Sequence, residues 1–153
     1  DLTFSGCQSC VLACKQKMDH CRLDDGLTPV LKAIADADVV AVGTPVYMSD
    51  VTSQTKAFID RTFSFFKPDF KTNPEPSRLA GGKTLVLVVT QGAPVEQAFK
   101  DVVDRYSAVL SRSCACKDVH VVRGLNLPPV GDAGAALEPA MAQISDVAAK
   151  IFK

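Results

Sequence analysis

Four cysteines lie close together near the start of the chain, with a spacing suited to a metal cluster or to thiol redox chemistry. They are Cys7, Cys10, Cys14 and Cys21. A [4Fe–4S] cluster needs one thiolate for each iron, and a compact loop can wrap it. Zinc bound by four cysteines, or by three with His20, is a weaker hypothesis because two well-separated pairs are more typical. Four free thiols, one of them redox-active, are the third hypothesis. The spacing does not decide between an iron–sulfur cluster and free thiols, and it favours both of these hypotheses over zinc.

Two glycine-containing segments follow apolar strands and are candidates for a cofactor site. In an open parallel sheet, ligands bind beyond the carboxyl ends of the strands. Gly43 and Gly92 allow the backbone close to a flat ligand, and Tyr47 and Met48 offer side chains to its face. Ordinary strand-to-helix turns are the alternative for either segment alone. The candidate cofactor-binding residues are Thr44, Pro45, Val46, Tyr47, Met48, Ser49, Gln91, Gly92 and Ala93.

The other reactive side chains form no catalytic constellation that the sequence reveals. There is no Ser/His/Asp triad, Walker loop or pair of carboxylates at a catalytic spacing, so catalytic residues stay unassigned. His120 falls in a predicted strand and is expected to pack in the core. Cys114 and Cys116 are expected at the end of a helix. A Cys-x-Cys pair can form a redox couple, but two incidental thiols are the favoured interpretation.

Charged residues on the predicted helices receive structural roles. Asp24 and Asp25 are expected to stabilise the start of the helix that follows, through its dipole and its free N–H groups. Lys56 and Arg61 lie five residues apart and do not share a helix face by simple spacing. A solvated face or a subunit contact is therefore expected for both, rather than catalysis.

The elements that must position these residues alternate between strand and helix. Asp38–Gly43 and Thr84–Thr90 are continuous apolar runs, typical of strands buried on both faces of a parallel sheet. Asp118–Val122 is a shorter third run. Helical stripes lie between and after them, so repeated βαβ units are expected. The stripes span Leu27–Ile34, Phe58–Phe66, Val95–Leu110 and Leu137–Ile151.

Local signals mark the helix starts and one long connection. Thr28 offers an N-cap followed by proline at the first helical position, and Thr52 or Ser53 offers a cap for the second helix. The segment Lys67–Gly82 is rich in proline and glycine and has no predicted element. A connection of this length is either functional or at an interface, or it is a plain surface loop.

The length and the charge of the chain limit the classes of protein to which it can belong. A chain of 153 residues can bury a substantial core, and residues 1–153 are expected to form a single domain. Lysine plus arginine equals aspartate plus glutamate at 17 each, which argues against nucleic-acid binding. The apolar runs are strand-length and fall short of the ~20 residues of a membrane span. We therefore expect a cytoplasmic protein with no membrane partner, whose cysteines are reduced, metal-bound or catalytic rather than paired.

Taken together, several motifs resemble those of the NAD(P)H-dependent FMN reductase family, including the related iron–sulfur flavoproteins. The similarity is most specific over the first sixty residues. It implies a flavodoxin-like α/β fold, a three-layer sandwich with a parallel sheet. The motifs are Phe4–Cys10, Cys14-Lys15, Cys21, Asp24-Asp25, Ala37-Asp38, Gly43–Tyr47 and Lys56–Arg61.

The resemblance implies a cofactor and partners. FMN would bind at the carboxyl edge of the sheet, with Thr44–Ser49 on the isoalloxazine and ribityl region and Gln91–Ala93 on the other side of the ring. Reduced nicotinamide or a redox protein would be the electron donor. Family members are usually homodimers or homotetramers. In the iron–sulfur subset, compact cysteines hold a [4Fe–4S] cluster, and the four cysteines of this chain occupy that place.

Two departures from the family pattern stand out. Three residues separate Cys10 from Cys14, where the family commonly has two. The family also begins with a strand and a Ser/Thr-rich loop that holds the FMN phosphate, and neither is in this sequence. That strand would lie between the strand end at Phe4 and the strand at Val39–Val42. We expect roughly one further βα unit, of ~30 residues or more, before Asp1 in the native protein.

Three functions follow as hypotheses. The first is an FMN-dependent oxidoreductase that passes electrons from a reduced nicotinamide or a protein donor to an acceptor, with the flavin carrying the chemistry. The second is an iron–sulfur flavoprotein electron carrier without a small-molecule substrate. The third is an interaction or regulatory domain that has lost its flavin. The resemblance favours the first.

Overall fold

A four-stranded, mostly parallel sheet organises the protein. The computed structural model describes residues 2–128 and 131–153. Its strands run in the order β2-β1-β3-β4. β1, β3 and β4 are parallel, whereas the two-residue β2 pairs antiparallel with the end of β1. The strands are β1 (Val39–Tyr47), β2 (Asp50–Val51), β3 (Lys83–Thr90) and β4 (Cys116–Gly124).

Four α-helices in the described residues connect and flank these strands. Thr28 is the first residue of α1 and Leu27 is its N-cap, so the predicted cap lies one residue too late. Thr52 caps α2 as predicted, since its hydroxyl oxygen accepts the Thr55 N–H at 3.2 Å. The helices are α1 (Thr28–Asp36), α2 (Ser53–Arg61), α3 (Lys100–Cys114) and α4 (Gly134–Ile151), with a π-helical turn at Ala13–Lys17 and a 3-10 turn at Thr62–Phe65.

The third helix begins later than predicted. Phe99 has a left-handed φ of 59°, which precludes a continuous helix through it, and α3 starts at Lys100. Val95 therefore lies in the preceding loop, where its carbonyl accepts the Gln91 side-chain amide at 3.0 Å. Cys116 was also misplaced, because a left-handed residue at Ala115 ends α3 and Cys116 is the first residue of β4.

The main core lies on one face of the sheet. Register pairs Val40 with Leu85 and Val42 with Leu87, so these side chains share a face. Leu85, Leu87 and Val89 are buried there together with residues of α1 and α3. The helical partners are Leu31, Ile34, Val102, Tyr106 and Leu110.

The opposite face is only partly covered, contrary to the prediction of strands buried on both faces. Along β3, buried residues alternate with half-buried ones such as Val86 and Val88. α4 packs over β4, where Val122 is fully buried. Over β1 the cover is missing within the described residues, and Ala41 and Gly43 are exposed.

The outer edge of β1 is open along most of its length. Within the described residues, strand pairing on that edge is confined to Val46 and Tyr47, which pair with β2. Leu2–Phe4 do not form a strand, and Asp1 lies outside the described residues. Phe4, Leu27, Val30 and Phe58 instead line an apolar groove of about 480 Å³ beside residues 39–43 of β1. An unpaired edge next to an apolar groove is a ready template for another strand.

Candidate functional site

The first predicted cofactor loop is largely strand. Thr44–Tyr47 continue β1, and Tyr47 pairs with Asp50 of β2 across a two-residue turn. Met48 and Ser49 both have left-handed φ values, of 46° and 66°, as a hairpin turn of this length favours. The sequence does not reveal this turn, because neither residue is the glycine or asparagine that usually occupies such positions.

Thr44 links the end of β1 to the start of α2. Its side chain is buried, its hydroxyl donates to the Pro45 carbonyl at 2.9 Å, and its oxygen accepts the Thr52 N–H at 3.3 Å. A side chain held in this way orients the backbone of the strand end. Thr44 therefore supports the candidate site from within the fold rather than presenting its hydroxyl to a ligand.

The two predicted segments lie side by side, as expected for neighbouring parallel strands. Pro45 is in register with Thr90, the last residue of β3. The segments that follow the two strands therefore begin at the same edge of the sheet. Met48 is fully exposed and Tyr47 is 66% exposed. An aromatic ring and a thioether this accessible at a sheet edge are suited to pack against the face of a flat ligand.

The second segment is held by a buried polar network that sequence reasoning missed. The Gln91 side chain donates to the carbonyls of Ala93 and Val95 at 3.1 and 3.0 Å, and its oxygen accepts from Arg123. Arg123 also donates to the carbonyl of Ala98. The backbone of Gln91 is committed as well, since its N–H donates to the Gly124 carbonyl and its carbonyl accepts the Leu127 N–H. Gly92 is the exposed residue of the segment and the one that can face a ligand. The sequence signal for this network was Arg123, a single arginine at the end of an apolar strand.

The four N-terminal cysteines do converge, but not as a metal centre. Cys7, Cys10, Cys14 and Cys21 line one cavity of about 20 Å³, and all are free thiols. Among residues 2–128 and 131–153, no group of histidine, cysteine and carboxylate side chains is arranged to hold a metal ion. His20 pairs with Asp19 at 2.7 Å on the surface. The structure therefore lends no support to the [4Fe–4S] or the zinc hypothesis.

Arg61 is buried in the centre of this region, and the prediction of a solvated or subunit-contact role was wrong for it. Its Nε donates to the Cys21 Sγ at 3.0 Å, and its two terminal nitrogens bond both oxygens of Asp25 at 2.8 and 3.2 Å. The Ser5 and Leu23 carbonyls accept its remaining hydrogen bonds. Arg61 thus ties the N-terminal segment to the end of α2.

The charges around Arg61 are mutually stabilising. The hydrogen bond from Arg61 holds the pKa of Asp25 at about 2, below its ordinary 3.8. Burial works to lower the pKa of Arg61, but Asp25 and Cys21 outweigh it, and that pKa is raised. Asp25 also accepts the Leu27 N–H at 3.1 Å, which partly bears out its predicted role at the start of α1. Lys56, as predicted, is on the surface, where it pairs with Asp60.

Two further basic residues fix the cysteine segment. The buried Lys15 ammonium donates to the Phe63 and Phe66 carbonyls and lies 3.9 Å from the centroid of the Phe63 ring. Burial lowers the pKa of Lys15 to about 8. Arg78 donates to the carbonyls of Cys14, Lys15 and Met18 at 2.8 to 3.2 Å. The protein's own side chains therefore hold this segment in place.

A wide cleft lies at the opposite end of the sheet. Its volume is about 690 Å³, and it is lined by residues of the 67–82 segment, the end of α3 and the first residues of β4. Ligands of open parallel sheets bind beyond the carboxyl ends of the strands, whereas this cleft adjoins their amino ends. We therefore place the candidate site at Tyr47, Met48 and Gly92 despite the size of the other cleft.

Comparison with known proteins agrees with this fold. A family model described as flavodoxin-like fold matches residues 15–148. The chain belongs to the flavodoxin-like fold family. A solved member of this fold, an FMN-dependent NADH-azoreductase from Bacillus anthracis in complex with FMN, superposes with a TM-score of 0.63 at 16% identity, covering 83% of this chain and 62% of that one. An NAD(P)H:quinone oxidoreductase from Methanothermobacter marburgensis superposes with a TM-score of 0.58 at 16% identity, covering 82% and 62%.

Curated relatives of this flavodoxin-like chain carry a common name. The FMN-dependent NADH:quinone oxidoreductase 2 of Xanthomonas axonopodis pv. citri (strain 306) is 34% identical over 121 residues, which cover 76% of this chain and 56% of that protein. The chain thus spans about half the length of the curated relatives it matches. None of the helices in the described part of the chain combines the length and apolar composition needed to cross a membrane.

Proposed function

We propose that this protein is an FMN-dependent NAD(P)H oxidoreductase, with FMN at the edge formed by Tyr47, Met48 and the 91–93 segment. The observation that carries the proposal is the exposed Tyr47–Met48 platform beside a rigid second segment, at the edge where parallel sheets bind ligands. The names of the curated relatives support the same cofactor and donor.

The residues present fit a flat, partly polar ring system. Gly43 is exposed, and a Cβ added there would meet no atom within 4 Å, so no contact in the described chain accounts for a glycine at this position. The buried Nε of Arg123 has no hydrogen-bond partner in the described residues. An orphaned donor near the carboxyl end of β4 is a feature expected of an edge completed by a ligand, and the open space at Gly43, in the middle of β1, leaves room beside that strand.

Each part of the edge has a distinct task. Tyr47 and Met48 pack against the face of the ring and shield it from water. The 91–93 segment, held by the Gln91 side chain, presents the backbone N–H groups of Gly92 and Ala93 to the ring's polar edge. Bound FMN supplies two-electron transfer between a reduced nicotinamide, or a protein donor, and an acceptor. Such transfer requires no acid or base from the protein, consistent with the lack of a triad in the sequence.

We also propose that residues 1–153 are part of one domain whose sheet is completed at the open edge of β1. The occupant we assign is a parallel strand from residues of the same polypeptide preceding residue 1. The assignment is supported by the apolar groove of about 480 Å³ and by the exposed Ala41. The match to 56% and 55% of the length of two curated relatives also supports it. Amide hydrogen exchange of the native gene product tests this assignment. We expect protection of β1 amides on both edges, and rapid exchange of those on the outer edge would contradict it.

A homodimer or homotetramer is part of the same proposal. Leu137, Met141 and Ile144 form a stripe on α4 that is between 37% and 56% exposed. The stripe is a candidate subunit contact, since apolar side chains at this spacing cover one helix face. Light scattering of the native protein measures the subunit number, and a strict monomer at micromolar concentration would contradict this part.

Titration with FMN tests the proposed site. Tyr47→Ala removes one stacking partner, worth about 1 kcal/mol, and should weaken FMN binding by about fivefold. Phe152→Ala is the matched control, since Phe152 is 76% exposed and lies after α4, and its substitution should leave the affinity unchanged. Equal affinity of Tyr47→Ala and the wild type would move the FMN site away from this edge.

A further inference from the structure

The four N-terminal cysteines form a reactive group that the proposed flavin site does not use. We propose that they are a thiol–disulfide exchange site whose substrates are small disulfides such as oxidised glutathione. Cys7 is the attacking thiol, and Cys21 is the resolving thiol. The inference stands independently of FMN, because no residue of the FMN edge takes part.

Convergence of the thiols on one small space is the first argument. Cys7, Cys10, Cys14 and Cys21 all line the cavity of about 20 Å³, which has room for roughly one water molecule. Thiols that line one small cavity face a common space, as the formation of a disulfide between two of them requires. Within residues 2–128 and 131–153, no group of histidine, cysteine and carboxylate side chains is arranged to hold a metal ion.

Hydrogen-bond donors aimed at two of the sulfurs are the second argument. The buried Arg61 guanidinium donates its Nε–H to the Cys21 Sγ at 3.0 Å. The backbone N–H of Ser9 donates to the Cys7 Sγ at 3.4 Å. These donors hold the two sulfurs in place within the cysteine segment, next to the shared cavity.

Accessibility assigns the order of the steps. Cys7 is exposed and Cys21 is half-buried beneath Arg61. The Cys7 sulfur attacks one sulfur of oxidised glutathione, which forms a mixed disulfide and releases one glutathione. The Cys21 sulfur then attacks the Cys7 sulfur, which forms the Cys7–Cys21 disulfide and releases the second glutathione. Two protein thiols lose two electrons and two protons, and the reagent's disulfide gains them as two thiols.

The chain carries its own reference thiols. Cys114 is fully buried at the end of α3, and burial raises its pKa. Burial likewise raises the pKa of Cys116 to about 11. Neither sulfur is suited to exchange, so both report the background reactivity of a protein thiol in the same sample.

Mass spectrometry of the wild-type protein tests the proposal. The protein is treated with a chelator, incubated with oxidised glutathione near pH 7 and digested. We expect a disulfide that joins Cys21 to Cys7, formed at least about tenfold faster than any modification of Cys116. Cys21→Ser should accumulate glutathione on Cys7, whereas Cys116→Ser should behave as the wild type.

Several outcomes would overturn the proposal. Equal rates at Cys7, Cys21 and Cys116 would show that the cluster has no special reactivity. A disulfide that excludes Cys21 would refute its role as resolving thiol. Acid-labile sulfide bound to the native protein, with all four cysteines shielded from reagent before chelation, would assign them to a cluster. Because the rates come from the wild-type chain, instability of a variant does not affect the result.

Discussion

Replacing Asp25 by asparagine removes the carboxylate from a fully buried guanidinium. The Arg61 side chain has no exposed surface, and that of Asp25 is 20% exposed. Breaking a buried ion pair by removing one partner costs 3–5 kcal/mol, and the partial exposure of Asp25 puts this pair at the low end, about 3 kcal/mol. At an m-value of about 2 kcal/mol per M, the urea midpoint should fall by about 1.5 M.

The neighbouring aspartate provides the control. Asp24 is exposed, and Asp24→Asn should change the unfolding free energy by less than about 0.5 kcal/mol. Equilibrium urea unfolding followed by circular dichroism measures both variants. If Asp25→Asn is no less stable than Asp24→Asn, the Arg61–Asp25 pair does not hold the N-terminal segment to α2, and the description of this region is wrong.

The same pair predicts how stability depends on pH. The folded-state pKa of Asp25, about 2, lies below its ordinary 3.8. Its contribution is therefore fully present above about pH 4 and is lost as the pH falls towards 2. After allowance for solvent screening, the loss should be about 1 to 2 kcal/mol. Asp25→Asn should lack this part of the pH dependence, whereas Asp24→Asn should retain it.

Three further perturbations test separate parts of the structure. The free energy of unfolding should rise between pH 8 and 10, because the pKa of Lys15 is about 8 in the folded state against an ordinary 10.5. In urea unfolding, Lys15→Met should flatten this rise, whereas Lys17→Met, at an exposed position, should not. Thr52→Ala removes the α2 cap and should cost about 1 kcal/mol by the same assay, against almost none for the adjacent Ser53→Ala. Gln91→Ala leaves buried polar groups unpaired and should cost about 2 kcal/mol; a loss no larger than that of the exposed Gln97→Ala would contradict the network with Arg123.

Local patterns in the sequence predicted the framework well. The apolar runs at Asp38–Gly43 and Thr84–Thr90 gave the two central parallel strands, because continuous β-branched residues favour buried strands. Thr52 was correctly assigned as a cap, since its hydroxyl acts within one helical turn. These features depend on interactions between residues that are close together in the chain, and a single sequence is enough to reveal such interactions.

Features set by long-range contacts could not be predicted. Arg61 is buried because it binds Ser5 and Asp25, which are 56 and 36 residues away in the sequence. The spacing of residues along a helix does not reveal contacts over such distances. The hairpin at Met48–Ser49 was missed because the antiparallel pairing with β2, rather than turn-forming residues, holds it. At the candidate site, the sequence correctly located both segments at one edge, but not the internal commitment of Thr44 and Gln91.

The visible absorption spectrum of the native protein, purified without oxygen and then mixed with NADH, tests the central proposal most directly. We predict the two absorption bands of oxidised FMN, both bleached on addition of NADH, with no broad iron–thiolate absorption beneath them. A colourless protein that also fails to take up added FMN would contradict the proposed function and would favour an interaction or regulatory domain.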